Sequence, residues 1–156
     1  MKSGVYDVFN KSANVGLGLL KSGRQAVVKA CMDTTAEAKK RIEMQNAIDT
    51  GAARASIYAV TPGKSSYSQA ISAAKSKRPK AKAFPQETVG NDELNPEGVV
   101  AVGVEYGSNI EYGAIRTHVS VPPRPFLEPA MRKVAPSFEK YCLEELGIEL
   151  RSSVGS

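Results

Sequence analysis

The feature that most constrains this fold is a long apolar stripe near the N-terminus. Between Gly16 and Met44, apolar or small residues recur at Leu20, Val27, Cys31, Thr34, Ala38 and Ile42, in steps of seven, four, three, four and four. That is the period of an α-helix. Lys29, Asp33, Glu37, Lys40 and Glu43 fall largely off the stripe. One face therefore packs and the other is solvated, over a rod of about 40 Å at roughly 1.5 Å per residue. Gly23 is the place where this rod is expected to break in two.

The helical pattern stops at Ile48-Asp49-Thr50-Gly51. There Asp can bond backbone N–H groups just ahead of it, and Gly supplies a positive φ at little cost, so the chain turns. Ser56 to Val60 reads as a short β-branched and aromatic strand ending at Thr61-Pro62-Gly63. Tyr67, Ala70, Ile71 and Ala74 form an i, i+3, i+4, i+7 set, enough for a short amphipathic helix, and Ser76 to Asn95 then loses periodicity and reads as a long loop. Val99 to Tyr106, Ile110 to Ile115 and Thr117 to Val121 read as three strands of an antiparallel meander, ended by Pro122-Pro123. From Leu127 the positions Ala130, Met131, Val134, Phe138, Tyr141, Cys142 and Leu146 return to helical spacing. Pro129 is tolerated in the first turn, Pro136 should kink or divide this helix near Ala135, and Gly147 is placed to terminate it.

Composition bounds what such a chain does. At 156 residues, 42% of them hydrophobic and 24% charged, one domain with a real core is expected, burying roughly 68 to 70% of the unfolded surface. The longest apolar runs, Val15 to Leu20 and Val99 to Val104, are far shorter than the roughly 20 residues that cross a bilayer, and no signal-peptide core follows Lys2, so the chain is expected in the cytosol when made. Cys31 and Cys142 lie 111 positions apart with a single His in the chain, which excludes ordinary Cys/His zinc spacing and leaves two buried thiols. The net charge is +5, and the six cations Lys64, Lys75, Lys77, Arg78, Lys80 and Lys82 exceed it on their own, with no acid among them. Glu87, Asp92, Glu93 and Glu97 follow, with Pro79, Pro85 and Pro96 interspersed. The stretch from about 64 to 97 is thus a polarised insertion, expected to be a mobile arm that the fold does not need.

Several motifs suggest chemistry that their context does not support. Asp49-Thr50-Gly51 is the triplet in which aspartic proteases share one proton between two carboxylates. Here a charged helix, Ala38-Lys39-Lys40-Arg41-Ile42-Glu43, precedes it in place of a hydrophobic strand. Gly63-Lys64-Ser65 resembles the end of a phosphate-binding loop, but Tyr58 stands where that loop needs Gly. Asn10-Lys11-Ser12 is a glycosylation acceptor only in a secreted chain. His118, with Ser56 and Ser120 as its candidate serines, lacks the G-x-S-x-G elbow that presents a nucleophile. The basic run lacks interleaved aromatics, helix-turn-helix and zinc signatures, so it reads as a solvated arm as readily as a nucleic-acid patch. No catalytic, cofactor-binding or metal-binding set emerges.

Three blocks stand in one order: Ile48-Asp49-Thr50-Gly51-Ala52-Ala53-Arg54-Ala55-Ser56-Ile57, then Val104-Glu105-Tyr106-Gly107-Ser108-Asn109-Ile110-Glu111-Tyr112-Gly113, then Pro123-Arg124-Pro125-Phe126-Leu127-Glu128-Pro129-Ala130. Together, after a lysine-rich helix, they resemble the neck proteins of long-tailed bacteriophages, also called tail-completion or head-tail joining proteins, over roughly Ala26 to Leu146. The chain departs from that pattern at Ala47 and Ala53, and in the length of the stretch from Thr61 to Gly98. The resemblance implies an α+β domain, a long N-terminal helix packed on an antiparallel sheet with a C-terminal helix, and the element order read from the residues agrees. It implies a structural virion protein of the neck, no enzyme, assembled as a ring of six or twelve copies between the capsid portal complex and the tail. Its partners would be itself, neighbouring connector, head-completion and tail proteins, and, non-specifically, the passing DNA, with no membrane.

Physical reasons for the blocks can be given. Asp49-Thr50-Gly51 turns the helix toward the strand that Ser56 opens. Arg124-Pro125 holds an extended approach, because the residue before Pro is pushed out of the helical region, and Phe126 and Leu127 then bury where the last helix starts. Glu111, which Tyr112 and Gly113 follow, is expected to bond Arg54 or Arg124. Two alternatives come from other classes: a small basic nucleic-acid-binding module using the Lys64 to Lys82 cations, and an aspartic-type protease using Asp49.

Overall fold

A computed structural model of the chain describes residues 6–8, 17–45, 51–92, 95–116 and 119–154. In chain order these form β1 (Tyr6–Val8), α1 (Leu17–Met44), α2 (Ala52–Ala55), β2 (Ile57–Thr61), β3 (Lys64–Ser65), α3 (Tyr67–Lys77), β4 (Gly98–Val102), α4 (Glu105–Tyr112), β5 (Ala114–Arg116), β6 (Val119–Val121), α5 (Leu127–Val134), a 3-10 turn (Ala135–Ser137) and α6 (Phe138–Val154). The fold is α+β: a long N-terminal helix and a C-terminal helix packed with an antiparallel sheet.

The stripe forms one unbroken helix of 28 residues. Val27, Cys31, Thr34, Ala38 and Ile42 along it are at most 1% exposed. Gly23 does not divide it but lies buried inside it. A helical Gly costs only about 1 kcal/mol against Ala, which the packing of so long a face outweighs. Pro136 acts as its chemistry requires: α5 stops at Val134, a 3-10 turn carries the proline, and α6 resumes at Phe138. Gly147 does not end α6, which runs on to Val154, and it is not among the glycines with positive φ.

Four strands in the order β1-β4-β2-β3 pair antiparallel throughout. The register of the central pair runs from Ile57 opposite Val102 to Val60 opposite Val99. All five residues of β4 are buried, so both faces of the sheet are covered at this strand. Alternation divides them. Val100 and Val102 join Ile57, α1 residues, Phe126 and Leu127 in the main core, while Val99 and Ala101 join Tyr58, Val60 and Ala70 on the opposite face.

That second face corrects the expectation of a free arm. The stretch from 64 to 97 is the layer that covers it. Ala70 is buried in the Tyr58 cluster with Tyr67 and Val89 packed against it, while Ala74 and Ala81 of the same stretch are buried in the main core. The Tyr67 hydroxyl donates to the Phe84 carbonyl at 2.5 Å, and the Tyr58 hydroxyl accepts the Glu87 N–H at 3.0 Å. The backbone is pinned as well, Phe84 N–H to the Gly103 carbonyl at 2.9 Å and Glu105 N–H to the Lys82 carbonyl at 3.0 Å. An apolar strand buried on both sides needs a cover, and the charged segment supplies it with small residues.

The expected meander is also replaced. Only β4 belongs to the main sheet; Glu105–Tyr112 is helix α4, and β5 and β6 form a separate two-stranded ribbon. Gly107 explains the helix. A Cβ there would stand 2.3 Å from Val102 Cγ2, so only glycine lets α4 lie this close to β4. Close packing overrides the poor helix propensity of Gly107, Ser108 and Asn109.

Candidate functional site

Helix α5 begins without a capping side chain of its own, since Phe126 occupies the N-cap position. Its first backbone N–H groups would be orphaned in the core. Glu111, 2% exposed and one residue before the end of α4, meets them: Oε2 accepts from Phe126 N at 2.6 Å and Leu127 N at 3.0 Å, and Oε1 accepts from Glu128 N at 3.1 Å. A carboxylate at a helix N-terminus also complements the helix dipole. Phe126 and Leu127, 0% and 1% exposed, fill the core beneath. The Arg124 N–H donates to the Ile110 carbonyl at 2.7 Å, and the Pro125 carbonyl accepts from Gln45 Nε2 at 2.9 Å, so the extended approach is held on both sides.

The second and third sequence blocks therefore meet at one carboxylate. The first contributes nearby architecture: Gly51 takes φ 73° ahead of α2, and buried Ser56 donates its hydroxyl to the Ala53 carbonyl at 2.8 Å while its own carbonyl accepts the Gly103 N–H at 3.0 Å. Arg54 is exposed and pairs with Glu43 at 3.3 Å, in place of the pairing expected with Glu111. Asp49, Thr50 and His118 lie outside the described residues. The role of Glu111 went unread in the sequence, although its signal is there: a helix start, Pro125-Phe126-Leu127-Glu128, that carries no Ser, Thr, Asp or Asn to cap it.

Directly after this joint the chain is uncovered. Tyr112 is 51% exposed, Gly113 turns at φ 76°, and the β5–β6 ribbon pairs Ala114 with Val121, Ile115 with Ser120 and Arg116 with Val119. Ile115 is 94% exposed and Val121 39%. By the register Ile115 shares a face with Ser120 and Val121 with Ala114, so apolar surface is open on both faces.

The cations stand elsewhere. Lys64 is exposed on β3, Lys75 and Lys77 end α3, and Arg78, Lys80 and Lys82 follow, all exposed. Arg78 stacks over the Tyr106 ring at 4.8 Å. Among the described residues Lys75, Lys77, Lys80 and Lys82 have no ion-pair partner.

Along the outer seam of α1, side chains pair closely. Lys29 bonds Glu144 at 2.8 Å and lies over the Tyr141 ring, which raises the lysine pKa and lowers that of the glutamate. The Tyr141 hydroxyl donates to Asp33, whose carboxylate pushes the phenol up. Lys133, at 2.9 Å, holds the Glu37 carboxyl below its usual range. Asp33, Glu37, Lys133 and Tyr141, with Lys40 and the exposed Ala36, line a groove of ≈360 Å³ between α1 and the α5–α6 segment. Cys31 is buried, and burial pushes its thiol up to about 12, so it is an inert core residue; Cys142 is half-buried, and both thiols are free. Among the described residues no group of three His, Cys, Asp or Glu could hold a metal ion, and no helix is long and apolar enough to cross a membrane. No protein-family model, curated protein or solved structure matches the chain.

Proposed function

We propose that this chain is a structural virion protein of a tailed bacteriophage, a subunit of a ring in the neck that joins or completes the tail and leaves a channel for DNA. The observation that supports this reading is that two of the three blocks on which the resemblance rests form one joint, with Glu111 of the second block capping the helix that the third block opens. Motif residues used this way are scaffold. What they hold out to solvent is an apolar ribbon, the kind of surface that assembly covers. The partners are other copies, six or twelve in a closed ring, and the adjoining connector, head-completion and tail proteins. Purified protein added to heads and tails made without it should yield joined particles; heads and tails that remain separate, with protein that is folded, contradict the reading.

The second reading, a basic nucleic-acid-binding module, is favoured by the fixed and exposed cations of Lys75 to Lys82. Binding to duplex DNA would then weaken with salt by roughly 0.9 in log–log slope for each phosphate contacted. A protease would instead lose peptide hydrolysis in Asp49→Asn, a change that leaves a structural turn intact.

A further inference from the structure

The cations from Lys75 to Lys82 stand on backbone that the fold holds in place. The Arg78 N–H donates to the Ala74 carbonyl at 2.9 Å and the Ala81 N–H to the Arg78 carbonyl at 3.0 Å, while Ala74 and Ala81 themselves are buried in the main core. Just beyond, the Lys82 carbonyl accepts the Glu105 N–H at 3.0 Å and Ala83 bridges to Val104. Small side chains anchor this turn and long cationic ones leave it. Lys75, Lys77, Arg78, Lys80 and Lys82 are all exposed, and no acid occurs between Lys64 and Gln86. Among the described residues the four lysines of the turn have no ion-pair partner. The dipole of α3 accounts for Lys75 and Lys77, which lie in its last turn. It does not account for Lys80 and Lys82, which flank the buried Ala81 past the end of the helix.

We propose that this turn is a sequence-independent contact for the phosphate backbone of duplex DNA. The surroundings of the cations select that partner. Protein interfaces and membrane anchors are built on exposed apolar or aromatic side chains, and among the described residues from 64 to 97 no large hydrophobic side chain is exposed. Single strands are bound by stacking bases on open rings. Here Tyr106 is half-buried with Arg78 over its face at 4.8 Å, and Tyr67 and Phe84 are half-buried too. What the turn presents is charge alone, and lysine ammonium groups grip phosphates without reading bases. A backbone already fixed in the free protein lowers the ordering cost of such a contact. The inference rests on the nucleic-acid reading and deepens it by naming the residues and the mode, and it needs no ring.

The test is fluorescence anisotropy of the full chain with two short labelled duplexes of unrelated sequence over a range of salt. The two should bind alike, and log affinity should fall with log salt by roughly 0.9 for each phosphate contacted. The double variant Lys80→Gln/Lys82→Gln should reduce that slope by about 1.8 and weaken binding about tenfold or more. A matched double variant, Lys40→Gln/Lys140→Gln, removes the same charge from exposed positions on α1 and α6. At about 0.1 M salt, where screening acts within roughly 10 Å, it should change affinity less than about threefold. All four side chains are exposed, so thermal melts should match the wild type. Equal losses in the two double variants would overturn the contact, as would preference for one duplex sequence, or tighter binding to a single strand or to anionic phospholipid vesicles. DNA bound as well by the Lys80/Lys82 variant as by the wild type keeps the nucleic-acid reading and rejects this contact. Joining of heads and tails by a protein that ignores DNA keeps the neck reading and rejects it as well.

Discussion

Glu111 and Ile115 stand four residues apart in environments that could hardly differ more. The carboxylate is 2% exposed and accepts three backbone N–H groups, while the isoleucine is 94% exposed on a ribbon open to solvent. Between them Gly113 makes the exchange, at φ 76° and so close to β6 that a Cβ would lie 2.7 Å from the Val121 carbonyl. A polar residue is inside because a helix start there has no cap of its own, and an apolar residue is outside where nothing among the described residues covers it. The buried half belongs to the fold. The exposed half is the surface that the proposed assembly would cover.

Substitutions can break this contrast in decreasing order of effect. Phe126→Ala should be the most damaging, about 3 to 5 kcal/mol of stability in a denaturant titration, since the ring is fully buried beside the joint. An unchanged midpoint would remove the joint from the core. Glu111→Ala should cost about 3 kcal/mol, near one for each N–H left without an acceptor, while Glu111→Gln keeps a carbonyl oxygen there and should lose clearly less. Equal losses in the two variants would mean that side-chain bulk matters and the bonds do not. Gly113→Ala forces a side chain into a left-handed conformation against the Val121 carbonyl, and about 1 to 3 kcal/mol should be lost in thermal melts. Ile115→Asp should shift stability by no more than about 0.5 kcal/mol, the range of ordinary surface changes. A large loss at Ile115 would place the ribbon within the fold and end the contrast.

The sequence reading reached those elements whose local pattern agrees with their tertiary setting. The α1 stripe, the short helix from Tyr67, the strand from Ile57 and the division at Pro136 are of this kind. It failed where packing decides. Val99 to Tyr106 and Ile110 to Ile115 read as strands, yet Glu105 to Tyr112 is a helix that lies so close to β4 at Gly107 that a Cβ would not fit. The 64–97 segment looks too charged to fold, although the run Gly98-Val99-Val100-Ala101-Val102, apolar at every position, already implied a cover on each face of its strand. Glu111 is expected to pair with Arg54 or Arg124, but it is buried and its partners are backbone N–H groups 15 to 17 residues away, which side-chain pairing rules do not reach.

The central claim is that this joint and ribbon serve a ring. Electron microscopy of the purified full chain, alone and added to tails, tests it most directly. The account predicts closed rings of six or twelve copies with an axial channel, the ribbon of each subunit seated on its neighbour. A closed twofold dimer in both samples, or a ring in which Ile115 remains in solvent, would contradict it.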